Sequence, residues 1–366
     1  SFEEEIVIDK PISNYSNPAV NKNQSIQDAI KNMTPFTQED IKKPEVKPQF
    51  TPQVEEIEEQ LPLGPDYSNY YIPYEEFLNM NLAQSDDNPE WLQEKKEIIN
   101  DSLSSFGIEG EVVTYTKGPA FTRYEIMLGQ GVNVKKVNQI YENLQKDLQA
   151  TSIRVLAPIP GKNTVGIEVP NDVAEIVPFS SIINEKYMND GKPLSVAMGK
   201  NIDGTPVYQN IPDMPHALIA GATQSGKSVS INTILISLLL KNSPDNLRLI
   251  LIDPKKVELS FYNDLPHLIT PVIDDPQIAT ESLKWAVEEM ERRYDVLSKN
   301  RCRNIKDYNT KRASNPTMEK MGYIVIVVDE FNDLIMQCGQ EANDAIVRLA
   351  QKARACGIHI ILATQR

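Results

Sequence analysis

The chain has 366 residues, of which 24% are charged and 40% apolar, enough to bury a sizeable core spread over about two domains. The longest apolar run, residues 233–240, is far shorter than the roughly 18 residues a membrane-spanning helix needs, and no secretory leader is visible at the N-terminus. Cys302, Cys338 and Cys356, like His216, His267 and His359, stand apart without metal-ligand spacing, which argues against zinc and for a reducing compartment.

The net charge of −14 is unevenly distributed. Residues 1–87 hold 17 Asp and Glu against 6 Lys and Arg, a net −11, so the remainder carries only −3 and its charge does not exclude DNA. The same stretch has nine prolines, the clusters Glu3-Glu4-Glu5 and Glu55-Glu56-Ile57-Glu58-Glu59, and no sustained periodicity. Residues 1–87 are therefore expected to be a disordered acidic linker. Within it, Tyr67, Tyr70, Tyr71 and Tyr74 read either as a docking motif or as an adhesive stretch of that linker.

Residues 88–187 predict a small α+β module. Asn88 is a candidate N-cap with Pro89 at the first helical position, and Leu92, Ile99, Leu103 and Phe106 form one apolar face up to Gly107. Strand-like runs at 111–116 and 120–128 flank Lys117-Gly118-Pro119, and Val137, Ile140, Tyr141, Leu144 and Leu148 make a second helical stripe. Runs at 153–157 and 164–169 add a strand pair around Pro158-Ile159-Pro160-Gly161, giving the order αββαββ.

Residues 188–366 predict an α/β domain with a parallel sheet, because from Pro193 onward short apolar runs alternate with long helical patterns. Strands are expected at 216–220, 247–252, 323–328 and 358–363, with helices starting at Lys227, Pro276 and Ala342. Gly221-Ala222-Thr223-Gln224-Ser225-Gly226-Lys227-Ser228 follows the first strand and opens the first helix, the setting a Walker A loop requires. Its glycines let successive N–H groups turn inward on phosphates, and the helix adds its positive N-terminal end. These eight residues are the candidate ATP-binding loop, with Lys227 on the β and γ phosphates and the Ser228 hydroxyl as a ligand of Mg²⁺. A glycine turn opening a core helix, with Lys227 solvated, is the bland alternative.

The run Tyr323-Ile324-Val325-Ile326-Val327-Val328 ends in Asp329-Glu330, the form of a Walker B strand. Asp329 is the expected second partner of Mg²⁺, through its water shell. Glu330, expected on the opposite side of the strand tip, is the candidate to polarise the attacking water. Gln365 closes the last strand at its C-terminal end, where ligands of open α/β sheets bind, and is the candidate γ-phosphate sensor.

Several stretches resemble the FtsK/SpoIIIE family of double-stranded DNA translocases, over a span from about Trp91 to Arg366. They are Gly118-Pro119-Ala120-Phe121-Thr122-Arg123-Tyr124-Glu125, Ala157-Pro158-Ile159-Pro160-Gly161-Lys162, Met214-Pro215-His216 and Ile252-Asp253-Pro254-Lys255. Glu289-Met290-Glu291-Arg292-Arg293-Tyr294, Asp329-Glu330-Phe331-Asn332-Asp333-Leu334, Arg348-Leu349-Ala350-Gln351-Lys352-Ala353-Arg354 and Ala363-Thr364-Gln365-Arg366 extend the likeness. Gln224 and Asn332 depart from the usual pattern, where a glycine and a small residue are common.

The resemblance implies a RecA-like P-loop motor that uses ATP and Mg²⁺, assembles as a homo-hexamer when complete, and pumps double-stranded DNA during cell division or sporulation. It further implies that the acidic tract tethers the motor to a membrane domain absent from this sequence, at the cytoplasmic face of the cell membrane. A conjugation or secretion ATPase and a nucleotide-gated DNA-binding scaffold remain as alternatives. Because the family domain continues past Arg366, the expected sheet has an open edge beside the Walker A strand, and the isolated chain is expected to bind ATP weakly and to aggregate or stay monomeric. Lys255, Lys256, Arg292, Arg293, Lys352 and Arg354 are candidate contacts to a phosphate backbone, with solvated helix faces or intersubunit pairs as the competing reading.

Overall fold

The computed structural model describes residues 67, 69–78, 90–222 and 225–365. The remainder of the acidic tract, Asn88 and Pro89, Thr223 and Gln224, and Arg366 lie outside the described residues. The described chain falls into two compact units, one from Pro73 to Gln209 and one joining the tyrosine stretch before it to the residues from Asn210 onward. This division falls later in the chain than the change of pattern at Pro193.

In the smaller unit, helix α1 (Tyr74–Leu78) precedes α2 (Glu90–Ser105), whose Leu92, Ile99 and Leu103 are fully buried as the apolar stripe requires. Strands β1 (Gly110–Lys117) and β2 (Phe121–Leu128) pair antiparallel, and β2 buries Thr122, Tyr124 and Ile126 on one face, with Glu125 between them buried as well. The second apolar stripe is two short helices, α3 (Lys135–Gln139) and α4 (Tyr141–Asp147), separated at Ile140, which leaves helical geometry at φ −98° and ψ 14°. Val137, Ile140, Leu144 and Leu148 are nonetheless all buried, so the break changes the path of the chain but not the face it presents. Strands β3 (Arg154–Leu156) and β4 (Val165–Pro170) complete a sheet of order β1-β2-β4-β3.

Helix α5 (Glu185–Met188) and a hairpin of β5 (Ser195–Lys200) and β6 (Pro206–Asn210) follow. Tyr187 stacks on Tyr208 with ring centroids 4.7 Å apart, and its hydroxyl donates to the Ser195 carbonyl at 2.6 Å. Tyr74 packs against the small apolar cluster that Tyr187 anchors.

In the larger unit, β7 (His216–Ala220), α6 (Lys227–Lys241), β8 (Leu247–Ile252), α7 (Pro276–Lys299), α8 (Ile305–Ala313), β9 (Tyr323–Val328), α9 (Phe331–Cys338), α10 (Gln340–Lys352) and β10 (Ile358–Thr364) build a parallel sheet of order β7-β10-β9-β8. All four predicted strands are present. Helices α8 and α9 are not foreshadowed: α8 carries few apolar residues, and α9, though mostly apolar, is only eight residues long and directly follows the β9 strand and its two acids.

Ile250, Ile252, Ile324, Ile326, Val328, Ile358 and Ile360 form one core with Leu283 and Met290 of α7 and Ile346 and Leu349 of α10. The alternate residues Leu249, Leu251, Val325 and Val327 are buried as well, so the strands are apolar throughout, as a sheet covered on both faces demands. The outer edge of β8 is occupied by bridges to Leu268 and Ile273. Strand β7 is an edge strand among the described residues, and its Leu218 is 65% exposed. No described helix is long and apolar enough to cross a membrane.

The tyrosine stretch packs rather than trails. Tyr70 sets the edge of its ring on His267 at 5.3 Å, and Tyr67 meets Tyr70 at 6.3 Å. This departs from the expectation of a structureless tract up to Asp87, because a ring partner compensates the entropy of ordering that charge-rich segments cannot recover.

Candidate nucleotide site

The glycine loop leaves β7 at its C-terminal end. Gly221 donates its N–H to the Thr364 carbonyl at 3.1 Å, and a Cβ at Gly221 would lie 2.2 Å from Ser225 Oγ, so a larger residue would displace that hydroxyl. Gly226 takes φ 90°, a left-handed conformation that glycine adopts without strain, immediately before α6 begins at Lys227. Sequence thus fixes a tight turn delivering Lys227 and Ser228 into the first turn of a 15-residue helix.

Strand β9 brings the carboxylates to the same place. Lys227 Nζ lies 2.5 Å from Asp329 Oδ1 and 2.6 Å from Glu330 Oε1, and the three side chains are 6%, 3% and 5% exposed. Glu330 does not sit on the opposite side of the strand tip from Asp329, as simple alternation predicts. Its φ of 55° and ψ of 53° put it in the left-handed region, which ends the strand and turns its carboxylate back toward the same ammonium. A non-glycine residue held there costs on the order of 1 kcal/mol or more, a strain common at functional sites.

Two buried acids share one buried cation, and the electrostatics follow. Burial, then the nearby charges of Asp253 and Glu330, lifts the Asp329 carboxyl above its ordinary value even though Lys227 pulls the other way. For Lys227 burial opposes the charge, but the hydrogen bonds and charges of Asp329 and Glu330 prevail and hold the ammonium above its ordinary value. The surplus of anionic oxygen suits a divalent cation arriving with a polyphosphate. Among the described residues no group of three metal-type side chains could hold an ion alone. Mg²⁺ takes one or two protein oxygens and completes its shell with phosphate and water, a demand that the Ser228 hydroxyl and the Asp329 carboxylate suit.

The loop after β8 forms the third wall, and sequence reasoning missed most of it. Fully buried Asp253 accepts the backbone N–H groups of Lys255, Val257, Glu258 and Leu259 at 3.1, 3.0, 2.9 and 3.0 Å. That hub aims Glu258 at Ser228, whose Oγ donates to Glu258 Oε1 at 2.7 Å. Lys255 reaches Glu330 Oε2 and Asp333 Oδ2, each at 3.3 Å. The only signal for this wall in the sequence is the Asp253-Pro254-Lys255 match; nothing in periodicity points to Glu258.

The remaining sequence candidates separate. Gln365 is exposed and directly follows Thr364, which pairs with Ala220 at the base of the glycine loop. Arg293 is buried, donating to Glu289 at 2.8 Å and to the Gly322 and Cys356 carbonyls at 2.8 and 2.9 Å, so it braces the sheet and is not open to DNA. Arg292 holds Glu289 at 2.7 Å and Lys256 holds Asp274 at 2.5 Å. Burial pushes the Cys356 thiol up to about 11, which leaves it protonated and unreactive.

The model of the FtsK/SpoIIIE family matches residues 180–366, just over half of the chain, and that of the FtsK alpha domain matches residues 72–171. The chain belongs to the FtsK/SpoIIIE family. Among FtsK/SpoIIIE relatives, DNA translocase SftA of Bacillus subtilis is 45% identical over 299 residues, which are 81% of this chain and 31% of that protein. DNA translocase FtsK of Haemophilus influenzae is 44% identical over 301 residues, 76% of this chain and 57% of its own. The chain thus spans between about a third and somewhat over half of these relatives. A solved structure of the pCW3 conjugation coupling protein TcpA, a monomer form with ATPγS, is 20% identical with a TM-score of 0.46, covering 75% of this chain and 77% of its own.

Proposed function

We propose that this chain is the motor portion of an ATP-driven pump for double-stranded DNA, acting in chromosome segregation during cell division or sporulation. The observation that carries the reading is the convergence of Lys227 with Asp329 and Glu330 beside a glycine loop, an arrangement suited to a nucleoside triphosphate, in a chain of the FtsK/SpoIIIE family. The residues divide the work. Gly221 to Gly226 wrap the phosphates, and Lys227 exchanges its two carboxylates for the β and γ phosphates. Ser228 and Asp329 would hold Mg²⁺, which would supply charge neutralisation to the phosphates. Glu330, freed of the ammonium, orients and deprotonates the attacking water, while Gln365 senses the γ-phosphate.

The domain scheme is a linker at 1–87, a small α+β module at 88–187 and a RecA-like ATPase at 188–366. The names of the curated relatives support duplex DNA as the substrate. A homo-hexamer, and a membrane anchor upstream that places the motor on the cytoplasmic face, complete the proposal.

The test is the ATPase rate of the full-length protein with and without duplex DNA. Stimulation by DNA, lost in Glu330→Gln with nucleotide binding retained and turnover down about 10²- to 10⁴-fold, is the expected result. Turnover indifferent to DNA would favour a nucleotide-gated scaffold instead.

A further inference from the structure

A hydroxyl that coordinates a metal does so through an oxygen lone pair, and its proton must then point to an acceptor elsewhere. Asp329 is itself the other proposed partner of the ion and in this structure has Oδ1 engaged by Lys227 at 2.5 Å, so it is not the acceptor of the Ser228 proton. Glu258 is already in the role: its Oε1 takes the Ser228 proton at 2.7 Å. We propose that Glu258 is a positioning residue for magnesium, orienting the Ser228 hydroxyl so that its free lone pair faces the ion. The inference rests on the reading of Ser228 as a magnesium ligand and extends it to a residue on a different element.

The surroundings are built for this task. The Asp253 carboxylate gathers three consecutive N–H groups, those of Val257, Glu258 and Leu259, which fixes the backbone that carries Glu258. A second hydrogen bond, from the Tyr262 hydroxyl to Asn232 Oδ1 at 2.7 Å, docks the same loop four residues further along α6, on the face that Ser228 occupies. Lys256 at φ 58° and Asp264 at φ 73° hold left-handed conformations on either side of that stretch, costs that a free surface loop would relax. The loop tip carries Phe261, 87% exposed, and Leu259 is fully buried, so polar clamps and a single apolar anchor together fix the loop.

The experiment titrates Mg²⁺ against a fixed concentration of a fluorescent ATP analogue bound to the full chain, with a parallel binding curve in EDTA. Glu258→Ala is expected to raise the Mg²⁺ concentration at half-saturation about 10- to 100-fold while the EDTA curve stays with wild type. Glu258→Gln keeps an acceptor oxygen and should stay within a few-fold of wild type. Tyr262→Phe removes only the second clamp while the Asp253 hub remains, and should shift the Mg²⁺ midpoint far less than Glu258→Ala. The proposal is overturned if Glu258→Ala leaves that midpoint within two-fold, if it weakens binding equally in EDTA, or if Tyr262→Phe shifts the midpoint as far. A wild-type chain that binds no nucleotide in either buffer sinks the nucleotide site itself, a separate outcome from any of these.

Discussion

Buried charge gathers at both ends of the parallel sheet, and the two clusters are compensated to different degrees. At the C-terminal ends of the strands, Lys227 serves both Asp329 and Glu330, so anionic oxygen is in surplus. At the other end, Glu289 is held by Arg292 and Arg293, and Arg293 also satisfies the Gly322 and Cys356 carbonyls just before β9 and β10. There Glu319 also approaches Arg292, at 3.8 Å, so the two cations and two acids balance and Arg293 is engaged on both sides. The Glu289 carboxyl accordingly sits below its ordinary value: burial works to raise it, and the two guanidinium groups overcome that. An undercompensated cluster invites a ligand, whereas a saturated one locks the fold.

The comparison is broken most directly at Lys227. Lys227→Ala should abolish ATP hydrolysis and, because it strands two buried carboxylates, lower the stability of the nucleotide-free protein by about 3–5 kcal/mol. Denaturant unfolding with and without Mg-ATP measures both aspects. Wild type should gain about 2.7 kcal/mol at a nucleotide concentration 100 times Kd, and the variant should gain nothing. A variant as stable as wild type would show that the ammonium does not offset the acids.

Arg293→Met probes the opposite end. It should cost about 3 kcal/mol, somewhat less than Lys227→Ala because Arg292 still accompanies Glu289. The increment added by Mg-ATP should be the same as in wild type. A reduced increment would mean that the two ends communicate through the sheet, and the contrast drawn above would fail.

A third group lies near the saturated end. His359 on β10 is buried, donates Nδ1–H to the Pro215 carbonyl at 3.0 Å, and leaves Nε2 without a partner. Burial chiefly, and then the neighbouring His216, Arg354 and Arg293, push it down to about 4. The unfolded chain therefore takes up the proton first, so stability is intact above the ordinary value of 6.5 and is lost as pH falls from there to about 4. The loss amounts to about 3 kcal/mol at 1.36 kcal/mol per unit. Unfolding curves across that window should be shallower in His359→Phe; an unchanged slope would assign the acid sensitivity to other groups, such as buried His267.

How much of this was legible depended on whether a feature is local. The β7-to-α6 segment was readable because a glycine loop between an apolar strand and helix is a contiguous pattern, and β9 because six apolar residues before two acids are likewise contiguous. The common direction of Asp329 and Glu330 was not readable, since alternation assumes a strand continues and Glu330 leaves it at positive φ. Glu258 was invisible for a different reason: its role arises from a hub of backbone N–H groups around Asp253, which no side-chain spacing encodes. Arg292 and Arg293 looked like surface charge because one helix face cannot be distinguished from another by two adjacent basic residues. Only the position of β9 and β10 beneath α7 shows that Arg293 points inward.

The smallest effect concerns a charge that shares a family-like stretch with residues of the core. Arg348 Nη2 meets Glu291 Oε1 at 3.2 Å, but both side chains are about half exposed, at 55% and 49%. Water screens such a pair and the two long side chains lose rotamer freedom in forming it, so Arg348→Ala should change stability by no more than about 1 kcal/mol. Raising the salt concentration should shrink even that difference, while leaving the Arg293→Met deficit untouched because that ion pair is shielded from solvent. A salt-independent loss of several kcal/mol at Arg348 would place it with the saturated cluster instead. A small stability change accompanied by weaker, less salt-sensitive DNA binding would instead mark Arg348 as one of the phosphate contacts that the interior arginines do not supply.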